Sequence, residues 1–210
     1  MKILALDTTS DFGSIALVEG VDLIEQVSLH QPDGFAHAIF QEIEGLLPRH
    51  GCTIQDVDIF ASASGPGSFT GVRVGLTAVK GLAEAMGRKV VAVSNLQALA
   101  WFGTRPLRAS LIDARRGEIY GAVYDADLRI VQPEVVQSFH AWTNSLPEGD
   151  LEIITQGFDP GGVTVPVVHA PRELAHAIGV IAAGKTAVDP IEIDANYVRR
   201  SDAELFWKDS

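Results

Sequence analysis

Residues 64–76 read SGPGSFTGVRVGL: three glycines in seven residues, with Ser68 and Thr70 between them, directly ahead of an apolar helical pattern. Backbone N–H groups at such a helix start can hold phosphate. The spacing matches neither common phosphate loop. A P-loop needs Gly-x4-Gly-Lys-Ser/Thr, but Gly71 follows Gly65 by six residues and Gly67 by four, Val72 and Arg73 come next, and the next lysine is Lys80. The dinucleotide fingerprint fails by one residue, because Gly65-Pro66-Gly67 meets its third glycine at 71. Asp7, in LDTTS, is the second candidate. A carboxylate where a strand enters a turn can handle phosphate and Mg²⁺, or it can cap the N–H groups of its own turn. Asp7, Thr8, Ser68 and Thr70 are therefore the candidate nucleotide or phosphate contacts. The competing reading is a tight turn with Ser68 or Thr70 as helix N-cap.

Other chemistries lack a constellation. The histidines stand at 30, 37, 50, 140, 169 and 176, none in H-E-x-x-H or H-x-x-x-H spacing, and position 41 is Gln. No metal site and no metallopeptidase are expected. There is no G-x-S-x-G nucleophile elbow. Cys52 is the one cysteine, so no disulfide forms within the chain, and it reads as an inert small side chain. Arg115 and Arg116, in DARRGEIY, form either a site for an acidic partner or RNA phosphate, or a solvated turn. GFDPGG (157–162) reads as an adenosine-binding loop or as a plain surface turn.

The whole chain is acidic, with a net charge of −11 over 210 residues. Autonomous nucleic-acid binding needs a basic face, so tRNA or DNA contact is expected only within a complex. No apolar run is long enough to span a bilayer or to serve as a signal sequence, and the expected location is cytoplasmic, away from any membrane.

These residues must be placed by strands and helices. ILAL (3–6) is a continuous apolar run, as in a strand buried on both faces. SIALVEG (14–20) and DLIEQVSL (22–29) follow as an antiparallel meander. A helix spans about 35–49, with Phe35, Ile39, Ile43 and Leu46 as one stripe that Ala36, Phe40 and Leu47 widen. A strand at 57–64, a helix at about 70–86 ending at Gly87, a strand at 90–93 and a short helix at 95–103 complete the first half. In the long helix Gly71, Gly75, Ala78 and Ala85 make a ridge of small residues beside an apolar ridge of Val72, Leu76, Val79, Ala83 and Met86. Both ridges can pack inside the chain, or one can face a partner. The second half repeats the order. LIDARRGEIYGAVYDADLRIVQ (111–132) overlays 5–27 with Asp113 on Asp7, followed by a short helix at 139–146, a strand at 151–157 and a helix after Pro171. The expectation is an α/β protein of two ribonuclease-H-like lobes, a duplicated βββαβα plan as in actin-like ATPases, divided into 1–105 and 106–210.

ILALDTTSDFGSIAL, SGPGSFTGVRVGLTAVKGLA, VSNLQALA, DARRGEIY and NYVRRSDAE, in this order from Ile3 to Glu204, resemble the TsaB (YeaZ) family of bacterial tRNA threonylcarbamoyladenosine (t6A) biosynthesis proteins. The resemblance implies a glycoprotease-like, actin-like fold that has lost catalysis and carries no catalytic residue. It implies a cytoplasmic subunit that pairs with the catalytic paralogue TsaD and is joined by the ATPase TsaE. That complex moves a threonylcarbamoyl group from its adenylate to the adenosine beside the anticodon of tRNAs reading codons that start with A. It further implies a homodimer when alone, formed through the N-terminal lobe, and no cofactor of its own, with ATP or ADP at the partner interface. The two N-lobe helices carry the partner contact, which puts Phe35, Ile39, Ile43, Gly71, Val72, Gly75, Leu76 and Val79 forward as partner-binding residues. Of the paralogue's metal-binding histidine pair, His37 lies in the corresponding helix and Gln41 replaces the second. Thr8 stands where actin-like ATPases place a glycine. The alternative function is an independent ATPase or kinase of the same fold, with Asp7 and Asp113 holding Mg-nucleotide.

Overall fold

A computed structural model describes residues 1–30 and 35–198. Arg199 and Arg200, and the rest of NYVRRSDAE beyond them, lie outside the described residues. The chain forms two compact units. One comprises Met1–Ala98 with Pro171–Ala195; the other comprises Leu99–Ala170 with 196–198.

The first unit is built on a sheet of five strands: β1 (Lys2–Asp7), β2 (Gly13–Glu19), β3 (Asp22–Leu29), β4 (Ile59–Ala63) and β5 (Lys89–Val93), in the order β3-β2-β1-β4-β5. β1–β3 form the antiparallel meander, while β4 and β5 run parallel to β1. The parallel pairs need crossover helices, and the sequence supplies them: α1 (Ala36–Arg49) before β4 and α2 (Phe69–Met86) before β5. The apolar run of β1 is continuous because both faces of the sheet are covered. Leu4, Leu6, Ile15, Leu17 and Phe60 join the core beneath α1 and α2. The opposite face meets α5 (Ala175–Ala183), where a Cβ on Gly179 would stand 2.6 Å from Val18. The sequence of that helix is apolar apart from His176, and six of its nine residues are buried, with His176, Val180 and Ala183 half-buried.

The second unit has a sheet in the order β10-β9-β6-β7-β8, from β6 (Leu107–Arg115), β7 (Glu118–Asp125), β8 (Ile130–Ser138), β9 (Leu151–Thr155) and β10 (Val167–His169). α4 (Phe139–Thr143) seats Trp142 in its core against Gly121, where no side chain would fit. A short helix, α3 (Asn95–Ala100), precedes β6.

Two expectations need correction. The helix after Pro171 does not complete a second lobe at 106–210: residues 171–195 pack with the first unit, because the far face of its sheet is apolar and needs a cover. The second half keeps the βββαβα order along the chain, with β10 added before α5, but α5 packs with the first unit. The division also falls at Ala98/Leu99 and not near residue 105. The expected helix limits hold for α1 and α2 within a residue. α3 and α4 end three residues early, and β10 was not anticipated.

Candidate functional site

The glycine-rich stretch and the Asp7 turn meet at one end of the first sheet. Ser68 caps α2, its Oγ accepting from Gly71 N at 3.3 Å. Gly87 closes the helix with φ +61, the left-handed conformation that favours glycine there. Across from the cap, Asp7 is buried at 1% exposure. Its Oδ1 accepts from Thr9 N at 3.0 Å and from Thr9 Oγ1 at 2.6 Å. Asn95 Nδ2 donates to Thr9 Oγ1 at 2.5 Å, and Asn95 Oδ1 accepts from Gly65 N at 2.9 Å. Burial pushes the Asp7 carboxyl above its ordinary value, against the hydrogen bonds from Thr9 and Asn95.

The remaining polar groups of the two loops serve each other. Ser68 N donates to Thr9 O at 2.7 Å, and Thr8 Oγ1 donates to Gly71 O at 2.7 Å. A Cβ on Gly67 would stand 2.6 Å from Thr9 O, and one on Gly75 would stand 2.7 Å from Thr8 Oγ1. The candidate phosphate contacts thus come together, but as one packed assembly. Asp7 and Thr8 are buried inside it, while Ser68, its helix cap, and Thr70 are exposed at its rim. Asp113 repeats the Asp7 turn, its Oδ1 accepting from Arg115 N at 2.7 Å, with its side chain 39% exposed. Arg115 and Arg116 form the β6–β7 turn with φ of 64° and 56°. Among the described residues, no group of three or more His, Cys, Asp or Glu could hold a metal ion, and no helix is long and apolar enough to cross a membrane.

The eight residues put forward as partner contacts require correction. Phe35, Ile39, Ile43, Val72, Leu76 and Val79 are at most 6% exposed and belong to the unit's own core. Gly71 and Gly75 are buried against Thr8 and Ser62. Gly71, Val72, Gly75, Leu76, Val79 and Ala83 of α2 are buried inside the unit, whereas Ala78 and, from α1, Ile39 line the outward groove and Ala85 is exposed. What the two helices offer outward is a different face: an apolar groove of about 610 Å³ with Phe40, Phe69, Val74, Thr77 and Leu82 along its walls. Phe40 is 47% exposed and Phe69 53%. Arg73 lays its guanidinium carbon 3.8 Å over the Phe69 ring. A second apolar hollow of about 380 Å³ continues from Phe40 and Leu82 toward Cys52. Sequence reasoning had Phe40 as a broadening of the buried stripe and did not single out Phe69. The signal was there in kind: two large aromatics at the edge of an already complete apolar face have nothing left to cover. Thr9 and Asn95 carried no local signal.

The two-sheet architecture is that of the actin-like ATPases. It is shared with a protein only 7% identical, component A of (R)-2-hydroxyglutaryl-CoA dehydratase from Acidaminococcus fermentans (TM-score 0.57, covering 88% of this chain and 98% of that one). A family model described as "TsaD: tRNA N6-adenosine threonylcarbamoyltransferase" matches residues 30–184. The chain is 28% identical to the tRNA threonylcarbamoyladenosine biosynthesis protein TsaB of Bacillus subtilis, over 100% of this chain and 99% of that protein. The structure of YeaZ from Pseudomonas aeruginosa superposes with a TM-score of 0.78 at 25% identity, covering 93% of this chain and 99% of that one. The chain belongs to the TsaB (YeaZ) family and is a protein of t6A tRNA modification.

Proposed function

We propose that this chain is a non-catalytic scaffold subunit of the t6A-forming complex. It docks the catalytic paralogue TsaD through the groove between α1 and α2, and the ATPase TsaE joins the pair. Alone, it covers the same groove with a second copy of itself. Transfer RNA meets it only through the complex, any ATP or ADP binds at the partner interface, and the work is done in the cytoplasm. The observation that carries this reading is the division of labour on α2. At the helix start, where an actin-like ATPase would receive phosphate, the chain uses its own groups: Ser68 N donates to Thr9 O and Thr8 Oγ1 donates to Gly71 O. The opposite side of the same helix leaves Phe69, Val74 and Leu82 lining an open groove with Phe40. Large aromatics in an open apolar groove are the usual anchors of a protein interface.

The test is threonylcarbamoylation of tRNA reconstituted from TsaD, TsaE and the threonylcarbamoyl adenylate, with and without this chain. Activity that depends on the chain, and that Phe40→Asp removes together with co-elution of TsaD, is the expected result. Equal activity without the chain would sink the scaffold reading.

A further inference from the structure

Three buried side chains link the Asp7 turn to the start of α2, and their role reaches past the closure of a phosphate site. We propose that Asp7, acting through Thr9 and Asn95, is a positioning residue for the docking groove: the relay holds the Gly65–Ser68 turn and so sets where α2 begins and where Phe69 stands. This inference rests on the docking reading above.

The relay runs in one direction. Gly65 N donates to Asn95 Oδ1, Asn95 Nδ2 to Thr9 Oγ1, and Thr9 Oγ1 to Asp7 Oδ1. Every donor points toward the carboxylate, the arrangement in which successive bonds strengthen one another. Asn95 closes a second bond with the same glycine, its backbone N donating to Gly65 O at 2.9 Å. Thr9 is where the relay meets the helix. Its side chain belongs to the relay while its carbonyl accepts from Ser68 N, the capping residue of α2. Phe69 is the next residue in the chain, and Arg73, one turn on, lies over its ring. Asp7, Thr9 and Asn95 are all at most 6% exposed, so water does not replace a partner that is lost.

The test compares Thr9→Val, which keeps the shape and removes the hydroxyl, with Thr9→Ser, which restores it. Val18→Ala, on the α5 face of the sheet, serves as a control of general destabilisation. Two quantities are read: amide exchange at Gly65 and Ser68, and affinity for TsaD. Thr9→Val is expected to speed exchange at both amides and to weaken TsaD binding by about tenfold or more, as for an orphaned buried partner. Thr9→Ser is expected to behave as wild type in both, and Val18→Ala to lower the melting temperature without changing either. Unchanged exchange in Thr9→Val overturns the relay. Faster exchange with full affinity overturns its role in docking. A wild-type chain that does not bind TsaD overturns the docking reading itself, which the exchange data distinguish from a failed relay. If Thr9→Val does not fold, Asp7→Asn, which keeps an acceptor oxygen and removes the charge, is read the same way.

Discussion

Gly71 lies against Thr8 so closely that a Cβ at position 71 would sit inside the Thr8 carbonyl oxygen, while the Thr8 hydroxyl donates to the Gly71 carbonyl at 2.7 Å. Backbone meets backbone here, and neither can rotate away. This contact seats α2 on the end of β1.

Gly71→Ala is accordingly expected to cost about 3 kcal/mol or more, the upper end of overpacking penalties. Gly81, on the same helix, has open space where its Cβ would be. Gly81→Ala is expected to stabilise by about 0.5–1 kcal/mol, the helix-propensity difference. Urea unfolding of both variants checks the pair. Equal effects would mean that the Thr8 contact does not constrain the helix.

The two faces of α1 and α2 should separate stability from association. Leu76→Ala, in the core at 4% exposure, is expected to lower the unfolding free energy by about 2–5 kcal/mol. Phe69→Ala, half-exposed on the groove wall, is expected to change stability by about 0.5 kcal/mol or less. Its effect should appear as a loss of about 2 kcal/mol in binding to TsaD or in self-association, the scale of an interface anchor. Sedimentation and denaturation on the same samples measure both.

Two carboxylates should give opposite pH signatures. Hydrogen bonds from Arg49 and then His50 hold Glu25 down at about 2 from 4.5. Its contribution is present above pH 4.5 and is lost as pH falls toward 2. Because it is solvent-exposed, the effect should also shrink in salt. Asp7 is raised by burial, so its ionised form opposes folding above its shifted value, and that opposition is relieved as pH falls toward 3.8. The stability of wild type relative to Asp7→Asn is expected to rise between neutral pH and about pH 4. A difference independent of pH would show that Asp7 stays in one protonation state throughout.

Arg115 and Arg116 hold left-handed backbone conformations that cost an L-residue about 1 kcal/mol or more. Arg116→Gly relieves that strain but frees the unfolded chain by about 0.4–1 kcal/mol, so chemical denaturation is expected to show a net change of about 0.5 kcal/mol or less. If the same variant weakens tRNA modification by the complex, the strain is retained for an RNA contact. If activity is unchanged, the arginines form a solvated turn.

Mg-ATP at millimolar concentration is expected to leave the melting temperature of the isolated chain unchanged. Asp7 Oδ1 is engaged by Thr9, Ser68 N by Thr9 O, and Gly71 O by Thr8 Oγ1. A dose-dependent rise that Asp7→Ala abolishes would restore the independent ATPase reading.

Local chemistry alone determined the order of elements apart from β10, the limits of α1 and α2, a cap at Ser68 or Thr70, the Gly87 stop and the family. Each is written in neighbouring residues: alternation or helical period, a capping hydroxyl, a glycine able to take positive φ, a run of characteristic motifs. Tertiary structure decided which apolar side was surface. The helical period of α2 reveals apolar ridges, but not that Thr8 and Ser62 lie against Gly75 while Val74 and Leu82, half-buried on the core, line the open groove. It also decided that the helix after Pro171 serves the first sheet, because its buried apolar residues cover the face that α1 and α2 leave open. The Asp7–Thr9–Asn95 relay was invisible for the same reason. Thr9 and Asn95 are 86 residues apart, and only the parallel packing of β1, β4 and β5 brings their side chains to one end of the sheet.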